Sequence, residues 1–356
     1  MWPKLSGAIM LLTMELSMTC GAEATPMYQD HLNLLTVLDE QGQARPVTTA
    51  EQWSVRRKHI LETMQLVMGP LPAKTAEIVT LVNSACTDRG PKFTSYRVDF
   101  ASPDGDLVPA FLFIPTGLKG KAPGMLCLHQ TTGIGKSEPA GLGGLPNLHY
   151  AKELAERGYV TLAPDYPGYG DYQCDPCAMG YISATMKGIV NHRAALDALQ
   201  SLPEVDPERL GCIGHSLGGH NTLFLAAFDE RVKVAVTSCG FNSFRKYMGG
   251  DVSGWSHKGY MPRIKELHDA KGDKMPFDFS EIVAAIAPRA VFTNSPLKDS
   301  NFAVEGVYDC LRAAQPVFDL LGAGDKLQAV HPDCEHDFPV EAREAAYEFV
   351  GKVLKP

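Results

Sequence analysis

The sequence has little basic charge: its longest run of Lys and Arg is Arg56-Arg57-Lys58, and acidic side chains outnumber basic ones. Its 356 residues include 33 Lys and Arg against 41 Asp and Glu, which gives a formal net charge of -8. A surface that binds nucleic acid needs clustered Lys and Arg to neutralise phosphates. The composition therefore argues against polynucleotide partners.

Long hydrophobic runs are missing beyond the N-terminus. A membrane-spanning helix needs roughly 18 or more predominantly apolar residues, and no later segment has such a run. Apolar residues make up 45% and charged residues 21% of the chain, a composition typical of a globular protein with a packed core. We expect no stable membrane span and one large core, and the sequence does not indicate an oligomeric state.

Cysteine spacing gives no zinc site. The sequence has nine cysteines, and its single C-x-x-C, at residues 174–177, has no second C-x-x-C and no paired histidines at ligand spacing. A local disulfide or two free thiols is expected there. Cys127, Cys212 and Cys239 lie in apolar runs and are expected to be free and buried. Neither H-E-x-x-H nor a nucleotide-binding glycine loop is present, so the sequence predicts no metal and no cofactor.

The first 24 residues have the pattern of an export signal. Lys4 precedes an apolar stretch, and Ala22-Glu23-Ala24 has the small-residue spacing cleaved by signal peptidase. This predicts a signal peptide over 1–24 and a periplasmic or extracellular protein. Glu15 interrupts the stretch, so two alternatives stay open: lipidation at Cys20, and a cytosolic protein with an amphipathic start.

From residue 94 onward, short apolar runs alternate with helical patterns. This alternation predicts an α/β fold with a mostly parallel sheet and helices on both faces. Eight strands are expected, at residues 94–100, 108–115, 124–130, 160–167, 209–216, 232–239, 289–296 and 327–333. Helices are expected within 145–158, at 183–202, after residues 216 and 301, and at 340–354. The first two strands are expected to form an antiparallel hairpin at the sheet edge.

Two further regions complete the predicted organisation. Residues 25–93 contain a predicted helix at 49–69 and a strand candidate at 77–83. About 65 residues barely support a core of their own, so we expect an N-terminal extension packed on a main domain at 94–356. The connection at 241–288 is long and rich in glycine and aromatic residues, which is typical of a cap or lid.

Residues 214–218, Gly-His-Ser-Leu-Gly, fit the pattern G-x-S-x-G. The segment before them predicts a strand and the segment after them predicts a helix. In that context the strained turn lifts the serine Oγ above the sheet, while the glycines relieve crowding. We therefore predict that Ser216 is a nucleophile rather than part of a glycine-rich turn without a chemical role.

A serine hydroxyl needs a base to take its proton and a carboxylate to orient that base. Asp299 follows the seventh predicted strand and His336 follows the eighth, in the chain order that this motif requires. We predict Ser216, Asp299 and His336 as a catalytic triad. Several other acids and histidines fit less well, because they fall on helices, within a strand or in a loop-organising position: Glu305, Asp309, His331, His220 and Asp165.

The tetrahedral intermediate of acyl transfer needs N–H donors for its oxyanion. Leu217, at a helix N-terminus directly after the nucleophile, supplies one. Thr131 is the first choice for the second donor and Gln130 the next, since both follow His129 at the end of the third strand; His129 itself is expected to be structural. In the candidate cap, Trp255, His257, Tyr260 and Met261 either line a substrate pocket or anchor the loop.

The segments GHSLG, SPLKDSNF, CEHDFP and HQTTG together resemble the α/β-hydrolase superfamily over residues 94–356. Within it, the chain resembles the serine branch of the dienelactone-hydrolase-like and acetyl xylan esterase-like proteins. The resemblance implies hydrolysis of carboxylic esters through an acyl-enzyme on Ser216, with acylated carbohydrate as the substrate class. Dienelactone hydrolases proper use cysteine as nucleophile, so their lactone specificity is not carried over. A peptidase of the same fold and a noncatalytic binding protein are the alternatives.

Overall fold

The computed structural model describes residues 25–73 and 81–355. The predicted signal peptide at 1–24 and the first part of the strand candidate at 77–83 lie outside the described residues. The strands are β1 (Thr36–Leu38), β2 (Ala44–Pro46), β3 (Leu81–Arg89), β4 (Phe93–Ala101), β5 (Leu107–Pro115), β6 (Ala122–Leu128), β7 (Val160–Pro164), β8 (Val205–His215), β9 (Val232–Ser238), β10 (Ala290–Asn294) and β11 (Leu327–Val330). The helices are α1 (Ala50–Met68), α2 (Tyr150–Glu156), α3 (Ala184–Ser201), α4 (Leu217–Phe228), α5 (Arg263–His268), α6 (Phe279–Ile286), α7 (Val304–Leu320) and α8 (Val340–Leu354).

Nine of the described strands form one mixed sheet in the order β11-β10-β9-β8-β6-β7-β5-β4-β3. Strands β6 to β11 run parallel to one another, and each connection between consecutive members of this group contains a helix. Strands β3, β4 and β5 are antiparallel to their neighbours. All eight predicted strands are present, and the α/β prediction with a mostly parallel sheet is confirmed.

The edge of the sheet differs from the prediction. β4 and β5 do form the expected antiparallel pair, but β3 pairs with the far side of β4 and takes the edge position. The sequence of β3, LVNSACTDR, is exposed over seven of its nine residues, so it lacks the alternation of apolar and polar residues that reveals a half-buried strand. Its pairing with β4 is also interrupted by two irregularities.

Helices cover both faces of the sheet, and this explains the apolar runs of the central strands. Every residue of β6 and β7 is buried, as expected for parallel strands packed on both sides. One core joins the sheet to α1, α3, α4, α6 and α7, and a second core joins the other face to α2 and α8. None of the helices in the described residues has the length and hydrophobicity of a membrane span.

A buried charge cluster connects the N-terminal region to the segment 241–288. Arg56 of α1 pairs with Glu281 of α6, and His31 Nδ1 lies 2.8 Å from the second carboxylate oxygen of Glu281. All three side chains are buried. Burial raises the pKa of Glu281, but the hydrogen bond and charge of His31 and the charge of Arg56 outweigh it and lower the pKa overall. Glu281 therefore stays ionised between Arg56 and His31.

Replacing Glu281 with glutamine is expected to lower the free energy of unfolding by about 3–5 kcal/mol, because Arg56 is left as an uncompensated buried charge. Glutamine has nearly the same size and can still accept the backbone hydrogen bond that Glu281 accepts from Asp278. Chemical denaturation measures the change. The matched control is Glu348→Gln, which breaks an exposed pair with Lys352 and should leave stability almost unchanged. Equal stability of the two variants would contradict the prediction.

Candidate active site

Ser216 occupies a strained turn between β8 and α4. Its backbone angles are φ 52° and ψ -114°, in a region that residues with a Cβ rarely adopt. A Cβ on Gly214 would overlap the backbone of Gly218, and one on Gly218 would overlap the carbonyl of Leu128. Glycine is therefore required at both positions, and the turn holds Ser216 at the carboxyl ends of the parallel strands, where it is half-buried.

Asp299 and His336 meet at the same end of the sheet. His336 Nδ1 lies 2.8 Å from Asp299 Oδ2, and Asp299 Oδ1 accepts the backbone N–H groups of Asn301 and Phe302 at 2.9 and 3.0 Å. Burial raises the pKa of Asp299, but His336 and the two amides outweigh it and lower the pKa overall. The ionised carboxylate therefore fixes the proton of His336 on Nδ1 and leaves Nε2 as the basic nitrogen.

A buried row of polar side chains joins the serine turn to the loop that carries His336. His215, Ser238 and Asn294 end strands β8, β9 and β10 and are paired in register. His215 Nδ1 lies 2.9 Å from Ser238 Oγ, and Asn294 Nδ2 donates to Ser238 Oγ at 2.8 Å and to the Asp337 carbonyl at 2.9 Å. The Asp337 contact anchors the backbone next to His336.

The ring of His215, the residue before Ser216, also contacts the ring of His336. The rings of His215 and His336 pack edge to face, with centroids 4.9 Å apart. Burial lowers the pKa of His215 to about 3, with the charge of His336 acting in the same direction. His215 is therefore neutral, and its ring packs against that of His336 at the position directly before Ser216.

The loop after β6 starts against the serine turn, because a Cβ on Gly218 would also contact the carbonyl of His129. His129 Nδ1 lies 2.6 Å from the Gln130 carbonyl, and its Nε2 accepts the Tyr166 N–H at 2.9 Å, so both ring nitrogens serve the loop. The Gln130 side chain donates to Glu138. Thr131 is exposed, and Leu217 is the buried first residue of α4. The oxyanion-hole role of Leu217, Thr131 and Gln130 stays a prediction.

The four predicted cap residues fall into two groups. Trp255 and Met261 are buried in the core, 3% and 0% exposed, so for these two residues the structure favours the anchoring interpretation. His257 is exposed, with its ring 4.4 Å from that of Tyr260. The Tyr260 hydroxyl lies 3.3 Å from Thr131 Oγ1. Of the four, Tyr260 therefore contacts the loop after β6 that carries Thr131.

Three of the five rival acids and histidines have polar partners of their own. Asp165 accepts hydrogen bonds from the Lys136 Nζ and backbone N–H at 2.6 and 2.8 Å, and from the Asp171 N–H at 2.9 Å, which is the loop-organising role predicted for it. His331 Nδ1 lies 2.9 Å from the Ser295 carbonyl. Asp309 pairs with Lys246, and Glu305 lies in the first turn of α7. His220 packs its ring against those of Trp255 and Tyr260.

One neighbour of Asp299 and His336 was not predicted. Cys239 follows β9 directly, and its Sγ, a carboxylate oxygen of Asp299 and a ring nitrogen of His336 all lie within 4.8 Å of one another. The sequence predicts a free, buried thiol at this position, and Cys239 is both. Its position at the carboxyl end of a parallel strand, where side chains from neighbouring loops meet, is the feature of the sequence that could have indicated this contact. The pair Cys174 and Cys177 also consists of free thiols.

Comparisons with known proteins agree with this architecture. The Dienelactone hydrolase family matches residues 108–248, and the family described as Glucuronyl esterase, fungi, matches residues 190–322. The Bacillus subtilis protein YtaP is 29% identical over 260 residues, which cover 69% of this chain and 83% of YtaP. Carbohydrate esterase MZ0003, from an unknown prokaryotic organism, is 28% identical over 138 residues. The match covers 36% of this chain and 32% of that protein.

The architecture of the whole chain has counterparts among solved structures. Glucuronoyl esterase from Solibacter usitatus superposes with a TM-score of 0.69 at 20% sequence identity, over 93% of this chain and 99% of that one. This likeness shows the fold. The chain therefore has an α/β fold like that of this esterase, and part of it resembles the Dienelactone hydrolase family.

Proposed function

We propose that the protein is a serine ester hydrolase and that Ser216, Asp299 and His336 are its catalytic triad. The observation that carries the proposal is the hydrogen bond between Asp299 and His336 beside the strained Ser216 turn. A carboxylate that orients an imidazole, next to a serine on a strand–turn–helix, is the arrangement that acyl transfer requires.

In the proposed mechanism, Nε2 of His336 takes the proton of Ser216 as the serine Oγ attacks the ester carbonyl. The Asp299 carboxylate stabilises the resulting imidazolium through Nδ1, and the N–H groups of Leu217 and Thr131 stabilise the oxyanion. The imidazolium then protonates the departing alcohol, which leaves Ser216 acylated. A water molecule attacks the acyl group with His336 again acting as the base, and the acid is released.

We propose an ester of a carbohydrate as the substrate class. The support comes from the similar proteins. The matching relatives and structures include a protein named carbohydrate esterase and several named glucuronoyl esterases. Removal of acetyl groups from acylated carbohydrate is the narrower form of this proposal. Export stays a prediction based on Lys4, the apolar stretch and Ala22-Glu23-Ala24.

The experiment compares turnover of p-nitrophenyl acetate with that of an aminoacyl p-nitroanilide by the wild-type protein. Ester turnover without anilide turnover supports the proposal, anilide turnover at comparable rates favours the peptidase, and turnover of neither favours a noncatalytic binding protein. A panel of acetylated glycans and glucuronate esters then tests the carbohydrate. Failure of every carbohydrate ester, with p-nitrophenyl acetate still cleaved, would overturn the substrate class alone.

A further inference from the structure

We propose that Cys239, Asp299 and His336 form a binding site for a thiophilic divalent cation, and that Zn²⁺ is the ion that fits it best. Occupation of this site blocks hydrolysis. The site is built from three segments that follow β9, β10 and β11. The binding of a cation to this site does not depend on the proposed function. The inhibition of hydrolysis by the bound cation rests on that function.

The ligand set and its spacing match the chemistry of zinc. Thiolate, imidazole and carboxylate are the three side-chain ligands that Zn²⁺ takes in proteins, at about 2.3, 2.0 and 2.1 Å. Ligand atoms on a tetrahedral ion with these bonds lie about 3.3–3.7 Å apart. The three atoms here lie within 4.8 Å of one another, so movements of about 1 Å bring them to that spacing. A fourth position stays open for water.

The approach of the ion is from the His336 side. Cys239 is 2% exposed and Asp299 5% exposed, so they form the closed back of the site, whereas the side chain of His336 is 26% exposed. The Cys239 thiol donates to the Asp337 carbonyl at 3.4 Å, a weak contact that a metal bond would replace. The proposed hydrolysis uses no thiol, which leaves Cys239 without another chemical role.

Occupation of the site removes the base whichever nitrogen binds. Nδ1 donates to Asp299 in the structure. If the metal binds Nδ1, the single ring proton of the neutral imidazole moves to Nε2, which then cannot accept the proton of Ser216. If the metal binds Nε2, the nitrogen that serves the serine is occupied. In both cases Cys239 binds as the thiolate and its proton passes to solvent, and no oxidant or reductant is needed.

The direct test uses CoCl2 as a spectroscopic substitute for zinc, with full-length protein that carries no histidine tag. Wild type is expected to show the thiolate-to-cobalt charge-transfer absorption of a tetrahedral site, and ZnCl2 should abolish it by displacement. Cys239→Ala should lose the absorption, and Cys239→Ser, which keeps the side-chain size, should lose it as well. Alanine and serine have a Cβ, as cysteine does. The backbone strain caused by the φ of 47° at this position is therefore the same in the wild type and in both variants.

The matched control is Cys334→Ala. Cys334 lies two residues before His336 and is a free, half-buried thiol, but it is not one of the three clustered groups. Its removal should leave the cobalt absorption intact. The proposal is overturned if wild type shows no thiolate absorption, or if the absorption survives in Cys239→Ala.

Inhibition is measured separately, as the Zn²⁺ concentration that halves p-nitrophenyl acetate hydrolysis relative to the metal-free rate of the same variant. Loss of the Cys239 ligand should raise that concentration by roughly tenfold or more, and EDTA should restore the wild-type rate. A protein that binds cobalt through Cys239 but cleaves no ester overturns the proposed function and not the site. A protein that cleaves esters and shows equal zinc inhibition in wild type and Cys239→Ala overturns the site and not the function.

Discussion

Replacement of Ser216 by alanine is expected to reduce kcat for p-nitrophenyl acetate by about 10⁴- to 10⁶-fold. Without Oγ no acyl-enzyme forms, and His336 has no proton to accept from the nucleophile. Alanine keeps the Cβ, so the unusual backbone angles of the turn cause the same strain in the variant and in the wild type. The loss is therefore expected in kcat, with a melting temperature close to that of wild type.

The measurement is steady-state kinetics together with the initial burst of p-nitrophenol, which reports acylation. The burst should vanish in Ser216→Ala. A suitable control is Ser201→Ala, which removes a hydroxyl at the end of α3 that donates only to the carbonyl of Ala198; its kcat should stay within about twofold of wild type. A Ser216→Ala protein that keeps a burst would place the nucleophile elsewhere.

Much of the scaffold follows from local sequence pattern. α8 has the bounds predicted from its periodicity, and α1 and α3 each agree with the prediction to within one residue at both ends. The start of α1 is fixed by a capping box between Thr49 and Gln52, which is a short-range interaction that sequence alone reveals. β3 was the exception, because an exposed edge strand has no buried face to impose alternation.

The meeting of Asp299 and His336 was predictable for a different reason. Carboxyl ends of parallel strands gather at one edge of the sheet, so the loops after β10 and β11 had to be neighbours once the strands were recognised. β10 is a short, fully buried strand, and β11 is a four-residue edge strand whose central residues are exposed. No side-chain contact had to be known in advance.

The parts of the site that escaped prediction depend on strand register. His215, Ser238 and Asn294 form a row only because β8, β9 and β10 pair in one particular register, and a shift of one residue would turn each side chain to the other face. Cys239 reaches Asp299 and His336 for the same reason. Trp255 and Met261 show a related limit, since aromatic and apolar residues in a glycine-rich segment can either line a pocket or fill a core.

Replacement of Asp299 by asparagine is expected to reduce kcat by about 10⁴-fold, which corresponds to about 5.5 kcal/mol of transition-state stabilisation. Asparagine keeps an oxygen for the N–H groups of Asn301 and Phe302, so the loop should hold its shape. Its amide nitrogen then faces His336 Nδ1 as a donor. This forces the proton of His336 onto Nε2, the nitrogen that must accept the serine proton, and no carboxylate remains to stabilise the imidazolium.

Steady-state kinetics on p-nitrophenyl acetate should show the loss in kcat with KM changed far less, because Asp299 does not contact the substrate in the proposed mechanism. The matched control is Asp309→Asn, the same change on α7, where the carboxylate pairs with Lys246 and the rate should be unaffected. Fluorophosphonate labelling of Ser216 should slow in parallel with kcat, since it depends on the same base. If Asp299→Asn and Asp309→Asn hydrolyse the ester at similar rates, His336 is oriented by another group and the triad assignment fails at its acid.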